Sequence, residues 1–336
     1  MADRQGIARA DLLVVALIIM IGATLLLGTV IRIREQAANL RCENNLKIIS
    51  LSIENYASVH DRLPPLVDQG KGSATGHGLP SVFAMLIPYV EATSYRFDPD
   101  RSTDHYLAHS SVMFKYMDKD GTSYEEGGGM ANQVWPIFID PADRTASKLR
   151  DVPTTLPDGS TGYYATCSYA VNGQAHWGKK HYAEAINSFS TLILVSERPQ
   201  VCVNSAGETI YNLWGVGFYS PHMPAFAALT PDDPPGLWST GQIAPASLPE
   251  ENAADRDALI RVRIGRQSAE PTPPDFPTPV QRVRPGQACD PRLPGTPHRR
   301  GLQAAMADGS VRIFAPDTSP WVFWSACMPA RKAGEE

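Results

Sequence analysis

Two pairs of residues in the sequence have types that metal or acid–base chemistry uses. His105 and His109 stand four residues apart in HYLAH, so a helix would place both imidazoles on one face. The segment lacks the glutamate of the zinc-protease pattern His-Glu-x-x-His and offers no obvious third ligand. Two surface or boundary histidines are therefore the favoured interpretation. His298 and Asp308 form the second pair, which a metal-dependent hydrolase could use.

Acidic residues cluster in two short segments, DPDRSTD (98–104) and DKDG (118–121). Both resemble calcium loops, in which several oxygen ligands surround a tight turn. Neither segment completes the pattern, because the first lacks the glycine at the sixth position and the second lacks the bidentate glutamate. We interpret both as solvated acidic turns, with calcium as the alternative, and predict no cofactor and no metal.

The cysteines are widely spaced and contain no Cys-x-x-Cys pair: Cys42, Cys167, Cys202, Cys289 and Cys327. This spacing disfavours a cysteine-rich zinc site and thioredoxin-like chemistry, and it is compatible with one or two disulfides in an oxidising compartment. A bridge between Cys202 and Cys289 is our candidate, because closing a long loop removes the most chain entropy from the unfolded state.

Motifs of the common enzyme classes are absent from the sequence: there is no Gly-x-Ser-x-Gly elbow, no phosphate-binding P-loop and no His-Glu-x-x-His pair. We therefore predict that the protein is not an enzyme. The formal net charge is −5, and neither lysine nor arginine forms a run. Nucleic acid is excluded as a partner, since its binding requires a basic surface.

The elements that must position these residues begin with an apolar segment near the N-terminus. No residue from Leu12 to Ile31 is ionisable, and about 20 such residues at roughly 1.5 Å each span the ~30 Å hydrocarbon core of a bilayer. Asp11 stands directly before this segment, where a carboxylate costs little because it reaches the headgroups. The segment is predicted to cross a membrane.

The same helix is predicted to continue beyond the membrane. No proline occurs before Pro64, so one helix can run from about Ile7 to His60. Its second half carries an apolar stripe at helical spacing, which predicts packing against a globular body: Cys42, Leu46, Ile49, Ile53 and Tyr56. The segment DRLPP (61–65) should end the helix, because a residue before proline disfavours the α conformation.

The body is predicted to combine helix and strand. Residues 79–98 form a helical stretch interrupted at Pro88, and strands are predicted at 162–171, 190–197 and 301–314. Asp308 and Gly309 predict a type I′ hairpin turn that pairs Met306 with Val311 and Ala304 with Ile313, with His298 as a structural hydrogen-bond partner at the base. Residues 221–297 are rich in proline and predict extended loops.

Several segments, in order, resemble a family of bacterial pseudopilin-like proteins of unknown function. The N-terminal part is similar to type IV pilin-like proteins in QGIARADLLVVALIIMIGATLLLGTVIRIREQA and in CENNLKIISLSIENYASVHDRLPP. LIPYVEATSYRFD (86–98), CSYAVNG (167–173) and INSFSTLILVSER (186–198) resemble later segments of that family. His298, nine further residues, Asp308 and Gly309 reproduce its His-x9-Asp-Gly signature. One segment departs from the pattern, since FIDPAD has Asp140 where the family has a cysteine, which removes any bond of Cys42 there.

The resemblance implies a specific maturation and assembly. A prepilin peptidase would cut after Gly6, and Ile7 would become the N-methylated first residue. Asp11 would then neutralise the N-terminal amine of a neighbouring pilin-like subunit in the inner membrane. The implied organisation is a leader at 1–6, a transmembrane part at 7–34, an amphipathic continuation at 35–63 and an extracytoplasmic body at 64–336.

Taken together, the sequence predicts an α+β protein with a long N-terminal transmembrane helix packed on an antiparallel β-sheet body with long proline-rich loops. The predicted function is that of a pilin-like structural or assembly subunit without catalysis. The alternative is a membrane-tethered protein that binds a solute or glycan, and exposed tryptophans around a concave face would favour it.

Overall fold

A computed structural model of the chain describes residues 9–66, 81–90, 113–117, 123–127, 130–146, 151–155, 161–173, 175–176, 191–217, 221–227, 280–291 and 293–327. The architecture is α+β, as the sequence predicts. A long N-terminal helix packs on one face of a five-stranded sheet, and a short helix covers the other face.

Helix α1 runs without interruption from Arg9 to His60 over 52 residues, about 78 Å at the usual rise per residue. The side chains of its first half that the structure describes are exposed and mostly apolar, for example Leu13, Ile18 and Leu26. Within the described residues, α1 is the one helix long and apolar enough to cross a membrane, and none of its most apolar stretch is buried.

The second half of α1 belongs to the core. All five residues of the predicted stripe are at most 5% exposed, which confirms the prediction that this face packs against the body. The helix ends at His60, and the next residue, Asp61, has a positive φ of 52°. Beyond the helix, the backbone N–H of Leu66 donates to the carbonyl of His176, and one ring nitrogen of His176 lies 2.8 Å from the carbonyl oxygen of Pro64.

A short second helix packs beside α1, and Pro88 interrupts it as predicted. Helix α2 spans Val82–Leu86 and continues as a 3₁₀ turn over Ile87–Tyr89 that contains the proline. The hydroxyl of Ser81 caps α2 by accepting from the backbone N–H of Ala84 at 3.1 Å.

The described strands are β1 Met113–Met117, β2 Ser123–Gly127, β3 Val152–Thr155, β4 Thr161–Tyr164, β5 Tyr169–Asn172, β6 Ile193–Glu197, β7 Val201–Val203, β8 Thr209–Tyr211, β9 Ala225–Phe226, β10 Gln281–Arg282, β11 Gly295–Thr296, β12 Leu302–Met306 and β13 Val311–Phe314. The central sheet has the order β13-β12-β6-β5-β9. Its pairings are antiparallel except for the short parallel pairing of β9 with β5. The single strand predicted at 162–171 is two strands, because the chain leaves β4 at Ala165 and joins the central sheet only at Tyr169.

The sheet separates two apolar cores. The larger one lies between the sheet and α1 and includes Val171 and Ala305. The smaller one includes Ala304 and Met306 on the other face, which helix α3, Pro320–Ala326, covers. Phe323 of α3 supplies its central ring, with its centroid 5.2 Å from that of Phe314. Successive side chains of strands such as β12 thus point to opposite faces of the sheet and contribute to both cores.

The β12–β13 hairpin forms where the sequence predicts it, but the predicted turn type and register are wrong. Ala305 pairs with Val311 and Gln303 with Ile313, one residue away from the predicted register. Only Gly309 has a positive φ, 77°, whereas a type I′ turn requires two such residues.

The physical reason for the different turn is the side chain of Asp308. Its Oδ1 accepts from the backbone N–H of Ser310 at 2.9 Å, an Asx interaction that stabilises a three-residue loop ending in the left-handed glycine.

Candidate functional site

Four side chains from distant parts of the sequence meet in the interior beside α1: Cys42, Asp140, Glu197 and His298. Their potential ligand atoms, one sulfur, one nitrogen and two carboxylate oxygens, all lie within 4.8 Å of one another. Each residue is at most 3% exposed. We call these four residues the buried cluster.

Helix α1 and strand β6 place the first two members. Cys42 begins the buried stripe of α1 and therefore points at the sheet. Glu197 is the last residue of β6, which is paired on both sides, with β5 and with β12. The carboxylate is held there because Oε2 accepts from the backbone N–H of Gln303 at 3.0 Å.

Two loops supply the other members. Asp140 follows the 3₁₀ turn Pro136–Phe138, and its Oδ1 accepts from the backbone N–H of Ala142 at 2.8 Å. His298 lies between β11 and β12, where its backbone N–H donates to the hydroxyl of Thr296 at 3.0 Å. One bond thus holds the outer carboxylate oxygen of Asp140 and the other holds the backbone of His298, and both side chains reach the cluster.

The inner atoms of the cluster are close together. The thiol of Cys42 donates to Oε1 of Glu197 at 2.8 Å. Nε2 of His298 lies 3.0 Å from Oδ2 of Asp140 and 3.1 Å from Oε1 of Glu197. Despite this proximity, neither Nε2 nor Oδ2 has a hydrogen bond of acceptable alignment among the described residues. Within the described part of the chain, these two buried atoms therefore meet at the centre of the cluster in ion pairs that lack hydrogen-bond alignment.

A second buried aspartate in the same loop shows the contrast. Oδ1 of Asp143 accepts from the backbone and the hydroxyl of Thr145, and Oδ2 accepts from the hydroxyl of Ser168 and the backbone of Gln200. Buried carboxylate oxygens normally accept hydrogen bonds in this way. Asp140 differs because, among the residues that the structure describes, its inner oxygen meets only the misaligned Nε2 of His298.

Burial and the neighbouring charges set the protonation of the cluster. Burial raises the pKa of the Cys42 thiol well above its ordinary value, and Glu197 and Asp140 raise it further. Burial likewise raises the pKa of Asp140. Burial alone would lower the pKa of His298, but its contacts with Asp140 and Glu197 outweigh burial and raise that pKa to about 10. With no bound ion, the cluster therefore has a neutral thiol and a protonated, charged imidazole beside two carboxyl groups.

This arrangement suits binding or cross-linking better than catalysis. A nucleophile or a general base must reach its substrate, and all four side chains lie inside the core. Sulfur, imidazole nitrogen and carboxylate oxygen are the donor types that zinc uses in proteins.

The structure separates the two residues of the His-x9-Asp-Gly segment. His298 is buried in the cluster, and its contacts are with Asp140 and Glu197. Asp308 is exposed at the hairpin turn and accepts from Ser310. The predicted disulfide is present, since Cys202 and Cys289 are bonded, whereas Cys42 is a free thiol.

Other candidate residues lie outside the described part of the chain. They are Gly6 and Ile7 at the proposed processing site, His105 and His109, and the acidic segments 98–104 and 118–121. Asp11 lies within α1, but its side chain is not described.

Sequence reasoning noted Cys42, Asp140 and His298 separately and did not select Glu197 as a site residue. One signal could have found the two carboxylates. Each ends an apolar run, VWPIFID for Asp140 and LILVSE for Glu197, so each acid follows directly on residues that require burial. Their contact with Cys42 and His298 depends on long-range packing and has no local signal.

A protein family described as "Protein of unknown function (DUF1559)" matches residues 32–201, half of the chain. The chain belongs to this family. The matched region contains Cys42, Asp140 and Glu197, and His298 lies beyond it. Comparison with curated proteins and with solved structures finds no match.

Proposed function

We propose that this protein is a membrane-anchored, pilin-like subunit that assembles with other such subunits through the exposed half of α1, and that it is not catalytic. The observation that carries the proposal is the division of α1. One uninterrupted helix has an exposed apolar first half and a second half that is part of the core.

This division favours an assembly subunit over a domain on a simple anchor. A simple anchor needs only a span and a linker, whereas here the span is a rigid extension of a core helix. Rigid coupling fixes the orientation of the body relative to the membrane, which subunits that stack through their helices require. Asp11 precedes the apolar segment, and a carboxylate near hydrocarbon is stable when it is paired, here with the N-terminal amine of a neighbouring subunit.

The proposed location is the inner membrane, with the body outside the cytoplasm. The Cys202–Cys289 disulfide supports this orientation, because disulfides persist in oxidising compartments. A prepilin peptidase is the proposed processing enzyme, with cleavage after Gly6.

Among the side chains that the structure describes, no exposed tryptophan favours the alternative of a solute- or glycan-binding protein. Sugar-binding sites use exposed aromatic rings, but Trp135, Trp214 and Trp324 are at most 9% exposed. These are the tryptophans whose side chains the structure describes.

The test compares Asp11→Ala with Asp11→Glu in the full-length protein. After cross-linking in membranes, the amount of co-purified pilin-like subunits is measured against the amount of inserted protein. Asp11→Ala should insert normally and lose its partners, and Asp11→Glu should keep them because the charge remains. Glu43→Ala is the matched control, since it removes an exposed carboxylate that pairs with Lys47 on the body half of α1. Equal association of wild type and Asp11→Ala would contradict the assembly role.

A further inference from the structure

We propose that Cys42, Asp140, Glu197 and His298 together bind one zinc ion, which fastens α1 to the sheet and to the loops on either side. This structural metal site is separate from the assembly role proposed above, and neither proposal requires the other.

The donor set is the first argument. Zinc in proteins is bound by thiolate, imidazole and carboxylate, and a structural site has four protein ligands in a tetrahedron with no open position. The buried cluster offers one sulfur, one nitrogen and two oxygens within 4.8 Å of one another. A thiolate favours zinc over magnesium or calcium, which prefer oxygen ligands alone.

The separations within the cluster are close to those of a tetrahedral zinc site. Zinc bonds of about 2.3 Å to sulfur and about 2.0 Å to nitrogen and oxygen place tetrahedral ligands about 3.3–3.5 Å apart. The corresponding separations are 2.8 Å from Cys42 to Glu197, 3.0 Å from His298 to Asp140 and 3.1 Å from His298 to Glu197. Opening these pairs by about 0.2–0.7 Å, and closing the remaining pairs, which lie within 4.8 Å, by up to about 1.5 Å, accommodates the ion through rotations of the side chains.

The surrounding hydrogen bonds orient the ligands as metal sites require. Each carboxylate has its outer oxygen held by a backbone N–H, from Gln303 or from Ala142, and its inner oxygen directed at the centre. Metal-binding carboxylates are commonly fixed in this way by a second layer of hydrogen bonds.

The next residues outward connect the ligands to one another. The amide of Asn45, one turn after Cys42 on α1, donates to the carbonyl of Ile139 at 3.1 Å and to the hydroxyl of Tyr169 at 3.2 Å. This network ties α1 to the residue before Asp140 and to β5, so the helix and the loop keep their relative positions.

The poor alignment of His298 with Asp140 and Glu197, despite short distances, is the independent evidence for a ligand. Nε2 of His298 and Oδ2 of Asp140 are buried, face each other and lack a properly aligned hydrogen bond among the described residues. Buried polar atoms in native proteins nearly always have a partner, as Asp143 does a few residues away. An ion at the centre of the cluster satisfies both atoms at once.

Charge and protons balance in the binding step. Zinc displaces the proton of the Cys42 thiol and the proton on Nε2 of His298, and both protons pass to solvent. The imidazole then coordinates through Nε2 with its remaining proton on Nδ1. The loss of two protons and the gain of one divalent cation leave the net charge of the cluster unchanged.

The burial of the cluster specifies how the metal enters and leaves. No ligand is more than 3% exposed, so the ion is enclosed as α1 docks on the sheet during folding. Four segments separated by up to 256 residues are then joined at one point. A chelator should therefore remove the ion only when the protein unfolds.

The first experiment uses the full-length wild-type protein, purified in detergent without a metal-affinity column. Its metal content is measured by mass spectrometry of the elements, and the zinc released on denaturation is titrated with a chromogenic chelator. The proposal expects one equivalent of zinc per chain, retained in chelator until denaturant is added. Folded protein with far less than one equivalent of zinc overturns it, whatever other metal is present.

The second experiment locates the ion with matched variants. Cys42→Ser and Glu197→Gln should lose the zinc, whereas Cys327→Ser should retain it. Cys327 is a suitable control because it is also a buried free cysteine, and it lies in the core on the other face of the sheet. Zinc that persists in Cys42→Ser or Glu197→Gln, or that is lost in Cys327→Ser, shows adventitious binding elsewhere and overturns the proposal.

A third measurement on the wild type covers the case in which the variants fail to fold. X-ray absorption at the zinc edge reports the ligand atoms directly and should give one sulfur with three nitrogen or oxygen neighbours. A site with no sulfur, or with two or more, overturns the assignment.

Discussion

Two glycines of the β12–β13 hairpin have positive φ but different surroundings. Substituting each by alanine should separate the energetic cost of the backbone conformation from that of a steric clash. Gly301, directly before β12, has φ 135°, and a Cβ there would lie 2.2 Å from the carbonyl oxygen of Phe314 and 2.8 Å from its carbon. Gly309, in the turn, has φ 77°, and a Cβ there would meet nothing within 4 Å.

The magnitudes follow from these contacts. Gly309→Ala should cost only the left-handed conformation, about 1–2 kcal/mol of unfolding free energy. Gly301→Ala should cost about 1–3 kcal/mol for its sparsely populated conformation. A further cost of about 1–3 kcal/mol arises because the backbone of Phe314 must move, as in an overpacked core. The total for Gly301→Ala is therefore about 2–6 kcal/mol.

Thermal unfolding of the full-length protein in detergent, followed by tryptophan fluorescence, provides the assay. Each kcal/mol should lower the Tm by about 2–4 °C for a body of this size. At the middle of these ranges, about 4 and about 1.5 kcal/mol, Gly301→Ala should lower the Tm more than twice as far as Gly309→Ala. Equal shifts in the two variants would refute the clash with Phe314.

Three further predictions concern buried or linked groups. Arg198 is buried and donates to carbonyl groups of the segment 221–225. Arg198→Met should therefore lower the unfolding free energy, measured by urea titration, by about 3 kcal/mol. A change smaller than the error of the titration would contradict this role. Burial lowers the pKa of His176 from its ordinary value to about 4, so the unfolded chain takes up this proton first as the pH falls. The unfolding free energy of the wild type should then fall by about 3 kcal/mol between roughly pH 6.5 and pH 4. The fall should be smaller in His176→Gln, and identical pH profiles of the two proteins would exclude the effect. Replacing both Cys202 and Cys289 by serine should lower the unfolding free energy by up to about 5 kcal/mol, because the disulfide closes a loop with a sequence separation of 87. An unchanged midpoint of urea unfolding would refute this entropic estimate.

Local patterns were sufficient to predict α1 and its buried face. The stripe that contains Leu46, Ile49 and Ile53 follows helical periodicity over many turns, and every member is buried. Asp308 and Gly309 predict the position of the hairpin correctly, but the register predicted from them is wrong by one residue. Turn type depends on which backbone N–H the aspartate accepts, a choice between conformations of similar energy.

The buried cluster could not be predicted from the sequence alone. Glu197 ends a strand that pairs with both β5 and β12, and the sheet order that brings it near His298 depends on long-range pairing. Asp140 reaches the cluster through a loop whose geometry depends on Ala142 and on packing against α1. Such contacts follow from the complete fold rather than from any local pattern.

The most direct test of the central claim, that this is a pilin-like membrane subunit, is mass spectrometry of the N-terminal peptide of protein extracted from membranes. The peptide distinguishes maturation by a prepilin peptidase from simple anchoring through the apolar half of α1. A pilin-like subunit matured in this way should begin with N-methylated Ile7. A chain that begins at Met1 or Ala2 in assembled, membrane-inserted protein would contradict it.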